Sequence, residues 1–219
     1  MWNFQLENLG ELDQQLIDTF KELPETDYLD GKYRLRRYSV FKQTEGFHAT
    51  SFVKLPPRSF VQSSHYNKHQ GNVKREFEPI SDSAAYSLSM QIALGLFLRR
   101  CSDFGIIGPL GEQEEIEVHQ MRVLTCEGGQ LSPEGVHQDG FDRIGMMGVN
   151  RYNITGGHLL LHKTKDSEAM ADFPLGNGEI AFVNDRELWH NGSPLKKINQ
   201  DEGGYMDIII MLIKYDKGL

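Results

Sequence analysis

The sequence predicts a mainly β fold, a sandwich or barrel of short strands with helices on its flank. Three observations point there. From residue 114 onward the chain alternates short strand-like segments with turn residues. The run from Asp207 to Ile213 is apolar and β-branched, as suits a buried strand. Ahead of residue 114, two stretches carry apolar residues at helical spacing.

Taken in order, residues 8–22 place Leu9, Leu12, Leu16, Ile17 and Phe20 on one helical face, and Pro24 closes the segment. Residues 28–63 alternate as strands do, through Tyr33, Leu35, Tyr38 and Val40 and again from Phe47 to Val53, until Pro56-Pro57 breaks the pattern. Residues 64–76 are polar and glycine-bearing, which predicts a loop. Residues 82–102 carry the clearest helix signal. Ser81 or Asp82 is the expected cap, and Leu88, Ile92, Leu96 and Phe97 form an apolar stripe that should lie on the outside of a sheet. Further on, Gly156-Gly157 feeds the strand Leu159-Leu160-Leu161, and Gly176-Asn177-Gly178 feeds Glu179 to Val183. The polar turn Asn184-Asp185-Arg186-Glu187 then delivers Trp189 and His190. No linker, repeat or low-complexity tract interrupts the chain. One domain spanning 1–219 is expected, with residues 1–113 packing onto a barrel core of residues 114–219.

The bulk properties narrow the function. At 219 residues and 25.0 kDa the chain is long enough for a sizeable core, and a mean hydropathy of −0.47 suits an ordinary globular protein. A formal charge of −8 and a pI near 5.5 argue against nucleic acid as a partner. The basic run Arg34, Arg36, Arg37 is a weak signal for an anion site, since solvated charges give the same pattern. Cys101 and Cys126 read as free thiols of a reducing compartment. Without a signal-like N-terminus or an apolar span, a cytoplasmic location away from membranes is expected.

The chemistry is carried by Gly135-Val136-His137-Gln138-Asp139-Gly140 and the distant Trp189-His190. Two imidazoles and one carboxylate suit non-haem Fe(II), because they hold the ion on one side and leave the other positions open. On a β-strand His137 and Asp139, two residues apart, would share a face, and His190 could return on another strand of the same barrel. His158 and His162 are alternative third ligands.

With these blocks the chain resembles the 2-oxoglutarate- and Fe(II)-dependent dioxygenases. It looks most like a bacterial branch that includes free L-amino-acid hydroxylases such as isoleucine dioxygenase. The narrower blocks are Tyr33 to Ser39, then Gln62 with Tyr66-Asn67, Gly71 and Arg75-Glu76-Phe77. In the barrel they are His119 to Arg122 and Asn150 to Ile154 before Gly156-Gly157, whereas the His-x-Asp block and Asp185 to His190 before Pro194 are shared by the whole superfamily. The resemblance implies a double-stranded β-helix, the cupin-like jelly roll. It implies iron held by His137, Asp139 and His190, and 2-oxoglutarate as cosubstrate. The small-molecule substrate would be a free L-amino acid. In the family an arginine just before the Asp of the last apolar run pairs with the far carboxylate of 2-oxoglutarate; here that position is Met206. Arg151 and Arg122, with Gln120 in the block of Arg122, are the candidates to hold the cosubstrate instead. Arg36, Gln62 and Arg122 are the candidates on the substrate side. Two other readings stay open: an oxygenase of a peptide or carrier-bound amino acid, and a cupin-like metal- or ligand-binding protein without turnover, which Met206 would suit. A homodimer is compatible with all of them.

Overall fold

In the computed structural model, which describes residues 3–44, 51–66, 71–103, 114–125, 131–132 and 134–214, twelve strands and three short or medium helices follow one another. In chain order they are β1 (Phe4–Asn8), α1 (Gln14–Asp18) running into a 3-10 turn (Thr19–Glu22), β2 (Arg34–Gln43), β3 (Phe52–Lys54), α2 (Asp82–Ala85) and α3 (Leu88–Asp103). Then come β4 (Glu115–Leu124), β5 (Arg143–Tyr152), β6 (Ile154–Gly156), β7 (Leu159–His162) and β8 (Ala169–Phe173). The last are β9 (Glu179–Asn184), β10 (Trp189–Gly192), β11 (Leu195–Lys197) and β12 (Tyr205–Ile213).

A seven-stranded antiparallel sheet in the order β1-β9-β5-β12-β4-β2-β3 forms one wall. Smaller sheets, β10-β7-β8 and β11-β6, form the other, giving the jelly-roll-type fold that the resemblance implied. The period-2 alternation of the strands divides the apolar residues between two cores. On β12, Met206, Ile208 and Leu212 face the inner core between the walls, whereas Ile209, Met211 and Ile213 face outward. On β4, Met121 and Val123 point in, and Ile116 and Val118 point out. Helix α3 covers the outer face with Met90, Ala93, Leu94, Phe97 and Leu98, all buried. Each large side chain so buried contributes about 1.5–3 kcal/mol.

Several expectations are corrected. The helix foreseen over residues 8–22 is shorter. Asn8 still belongs to β1, paired with Glu179 of β9, and the helix begins only after Asp13, whose carboxylate accepts from Leu16 N at 2.9 Å. The helix over 82–102 breaks at Tyr86-Ser87 into α2 and α3, with Ser81 as the cap of α2. Of the expected stripe, Phe97 is buried and Leu96 packs against the core, but Leu88 is 69% and Ile92 49% exposed. The strand expected from Phe47 begins at Phe52, residues 45–50 lying outside the described residues, as do Asn67 and Cys126. Cys101 is a buried free thiol in the outer core.

One irregularity positions the site. β5 and β12 pair with Asp207 opposite Asn150 but Ile208 opposite Gly148, so Val149 is an extra, bulged residue. Met147 and Val149 both lie in the outer core. Strict alternation would send Arg151 outward with them. The bulge resets the parity and brings Arg151 opposite Met206, whose side chain belongs to the inner core.

Candidate metal centre

The His-x-Asp segment belongs to no named strand. It is an extended loop tied to β10 by a single antiparallel bridge, in which His137 N donates to His190 O and His190 N to His137 O, both at 2.9 Å. The bridge sets the two imidazoles side by side, with ring centroids 4.5 Å apart. Asp185, in the turn before β10, holds the rest of the loop. Its carboxylate accepts from the backbone N–H of Asp139 at 3.1 Å, Gly140 at 2.7 Å and Phe141 at 3.0 Å. Gly140 has φ +84°, and a Cβ there would strike the Tyr66 ring, so this turn needs glycine.

One donor atom from each of His137, Asp139 and His190 lies within 4.8 Å of the others. His137 Nε2 is 3.5 Å from Asp139 Oδ1, and His190 Nε2 is 3.6 Å from Asp139 Oδ2. These separations exceed a normal hydrogen bond and suit atoms that share one ion. The orientation of His137 is fixed from behind, its Nδ1 lying 2.8 Å from Gly135 O, which leaves Nε2 for the metal. His190 Nδ1 is buried and makes no hydrogen bond among the described residues; Asp185 Oδ1 is 3.6 Å away. The donor set therefore fits a facial two-His, one-carboxylate iron site. Burial opposes charge on His137, but Asp139 and Gly135 O outweigh it and hold the imidazole up at about 9. Burial also raises Asp139, yet the two imidazoles pull it well below the usual carboxylate range. Burial, reinforced by Asp139, pushes Asp185 up to about 6.

A cavity opens beside these groups and runs between the two walls. Gln62 faces it and donates to Asp139 Oδ1 at 3.1 Å, while accepting from Arg75 Nη2 at 2.9 Å. Arg36 also lines it, buried, and donates to Asp30 at 2.9 Å. Arg34 shares Asp30 at 2.8 Å. Gln120 and Arg122 are not brought to this cavity. Their parity on β4 turns them to the opposite face, where Gln120 donates to Thr19 Oγ1 at 2.7 Å. There Arg122 forks onto Asp207 at 2.6 and 2.8 Å and lies 3.9 Å from the centre of the Tyr205 ring. Their neighbours His119 and Met121 face the cavity in their stead. His119 is buried among Tyr38, Phe60 and Phe77, and burial followed by Arg36 and Arg75 holds its imidazole well below its ordinary value.

Arg151 is not among the residues that line the cavity, but it contacts two that are. Its Nη2 donates to Gly156 O, and its Nη1 to Gly157 O at 3.2 Å and to Met206 Sδ at 3.3 Å. Gly157 and Met206 both line the cavity. Burial alone lowers the Arg151 guanidinium, and no acid among the described residues pairs with it. His158 and His162 are engaged elsewhere, with Asp172 and with Ser167 O and Asn191, and are not part of the donor cluster. Sequence reasoning missed Asp185, Arg75 and His119 as site residues. All three stood in blocks already singled out, but nothing in the sequence says which residue of a strand faces in.

Residues 18–212 match the family model described as 2OG-Fe dioxygenase. No curated protein sequence matches the chain. Among solved structures it is similar to a bsmA homologue from Methylobium petroleophilum PM1, with 24% identity and a TM-score of 0.76 over 92% of this chain and 80% of that one. It is also similar to IDO from Bacillus thuringiensis, with 17% identity and a TM-score of 0.70 over 98% of this chain and 91% of that one. A third similar structure is the Fe(II)/(alpha)ketoglutarate-dependent dioxygenase TqaL, with 14% identity and a TM-score of 0.65 over 97% and 82% of the two chains. At these identities the structural likeness speaks for the fold.

Proposed function

The chain belongs to the 2OG-Fe dioxygenase family, and from that premise we propose that it hydroxylates a free L-amino acid or a similar small molecule at an iron centre held by His137, Asp139 and His190. Fe(II) and 2-oxoglutarate are its cofactors and together supply the activation of O₂ and the oxidation of the substrate C–H bond. The observation that carries the reading is the convergence of two imidazoles and a carboxylate, from segments far apart in the chain, beside one cavity.

The chain's own residues have separable tasks. Gly135 O orients His137, and Asp185 fixes the loop that carries Asp139. Gln62 donates to Asp139 and holds its second oxygen toward His190. Arg151 would take the far carboxylate of 2-oxoglutarate in place of an arginine at Met206: it stands beside that methionine, faces no acid among the described residues and is partly buried. A cation at Arg151 weighs against the reading as a binding protein without turnover, which rested on Met206. A peptide or carrier-bound substrate would want an apolar groove beside the metal, whereas Arg34, Arg36, Gln62 and Arg75 line this cavity and favour a small polar molecule. Arg36 and Gln62 remain on the substrate side; Arg122, committed to Asp207 on the other face, does not.

The test is iron stoichiometry together with an anaerobic titration of the Fe(II)-loaded protein with 2-oxoglutarate, followed through its visible charge-transfer band. The native protein should bind one iron and give a saturable band. His137→Ala should lose both; unchanged iron content in that variant would remove the ligand assignment.

A further inference from the structure

Three guanidinium groups, Arg34, Arg36 and Arg75, line the cavity. Arg36 and Arg75 are buried, and Arg34 nearly so. Such a concentration of like charge out of water needs anions. The carboxylates that face the group among the described residues are Asp30, which accepts from both Arg34 and Arg36 through one oxygen, and the partly buried Glu134. Among the described residues, three positive charges against two negative ones leave this part of the cavity with an excess of one. Asp139 does not offset it, because it is committed to the metal.

The hydrogen bonds tell the same story. Among the described residues the Nε of Arg34, of Arg36 and of Arg75 are buried and find no partner, which adds to the cost of holding these charges out of water. Native proteins rarely leave such donors unmatched. The planar guanidinium groups are also held in fixed orientations, Arg75 over the Phe60 ring at 4.8 Å and Arg36 over Phe77 at 5.1 Å. Through Gln62, Arg75 is two hydrogen bonds from Asp139, so an anion seated on it lies next to the reacting centre.

We propose that the substrate is a net-anionic small molecule with two carboxylates, an acidic amino acid or a dicarboxylic acid, one of whose carboxylates is gripped by Arg36 and Arg75 with Arg34 at the rim. A zwitterionic aliphatic amino acid would satisfy some donors but leave the excess charge in place; a second carboxylate on the substrate removes it. The inference rests on the functional reading above and narrows its substrate class.

The experiment is calorimetric binding to the anaerobic protein loaded with Fe(II) and saturating 2-oxoglutarate. The probes are matched pairs, L-glutamate against L-glutamine and L-aspartate against L-asparagine, with L-isoleucine beside them. An acid should bind at least about tenfold more tightly than its amide, and the gap should narrow with added salt. Arg36→Gln and Arg75→Gln should abolish the preference. Arg34→Gln, at the rim, should reduce it in a fold checked by thermal melting, which covers the case in which a buried variant does not fold. No acid binding better than its amide, isoleucine binding as tightly as the acids, or a preference that survives all three substitutions would each overturn the proposal. The charge-transfer band is read on the same sample: a normal band without acid preference overturns this inference alone, whereas loss of the band overturns the functional reading.

Discussion

Replacing Arg151 by Gln keeps a polar side chain of similar reach but removes the charge beside Met206. Nη1 and Nη2 of Arg151 turn toward Gly156 O, Gly157 O and Met206 Sδ, and no carboxylate among the described residues neutralises them. If the far carboxylate of 2-oxoglutarate docks there, the variant loses a charge-assisted interaction worth about 1.5–3 kcal/mol. At about 1.4 kcal/mol per tenfold, the dissociation constant for 2-oxoglutarate should rise roughly ten- to a hundredfold. Iron content should stay unchanged, because no metal-ligating side chain is touched. Met206→Arg alone should not help. Met206 Sδ is 3.3 Å from Arg151 Nη1, so a second guanidinium would stand about 4 Å from the first, and at an effective dielectric near 20 that repulsion is about 4 kcal/mol. The informative partner is the exchange, Arg151→Met with Met206→Arg, which moves the charge across the β5–β12 pair and should recover most of the affinity. The assay is the anaerobic charge-transfer titration. An Arg151→Gln protein with the native midpoint would refute the assignment of Arg151.

Two further perturbations follow from the same contacts. Asp185→Ala orphans the N–H groups of Asp139, Gly140 and Phe141 and frees the neighbourhood of His190; a loss of about 3 kcal/mol or more in denaturant unfolding and a ten- to hundredfold weaker iron affinity are expected, and a variant with native iron affinity would show that the loop holds itself. Asp13 caps α1 and also accepts from Ser89 N at 2.7 Å, where α3 begins; burial raises its pKa, but Ser89 and the backbone donors outweigh that and hold it below 3.8. Its contribution is therefore complete above the unfolded value of 3.8 and is lost as the pH falls through the lower folded value, so Asp13→Ala should cost about 1 kcal/mol near neutral pH and progressively less in acid, as urea unfolding at several pH values will read.

The sequence by itself determined the chemistry of the centre and the class of the fold. His137, Asp139 and His190 could be picked out because a donor set is a matter of residue type. The strands after residue 114 could be picked out because alternation and turn residues are local properties. Local pattern did not determine which face of each strand looks inward. Residue type alone favours Gln120 and Arg122 as site residues, and only the pairing of β4 between β2 and β12, with α3 laid over the outer side, sends them away from the cavity and turns His119 and Met121 toward it. Arg75 lies in a loop whose place beside Arg36 and Gln62 depends on contacts remote in sequence. The bulge at Val149 is the clearest case. A single extra residue in β5, visible only once β12 is paired to it, reverses the parity of everything that follows and turns Arg151 from an outer-face residue into the charge beside Met206.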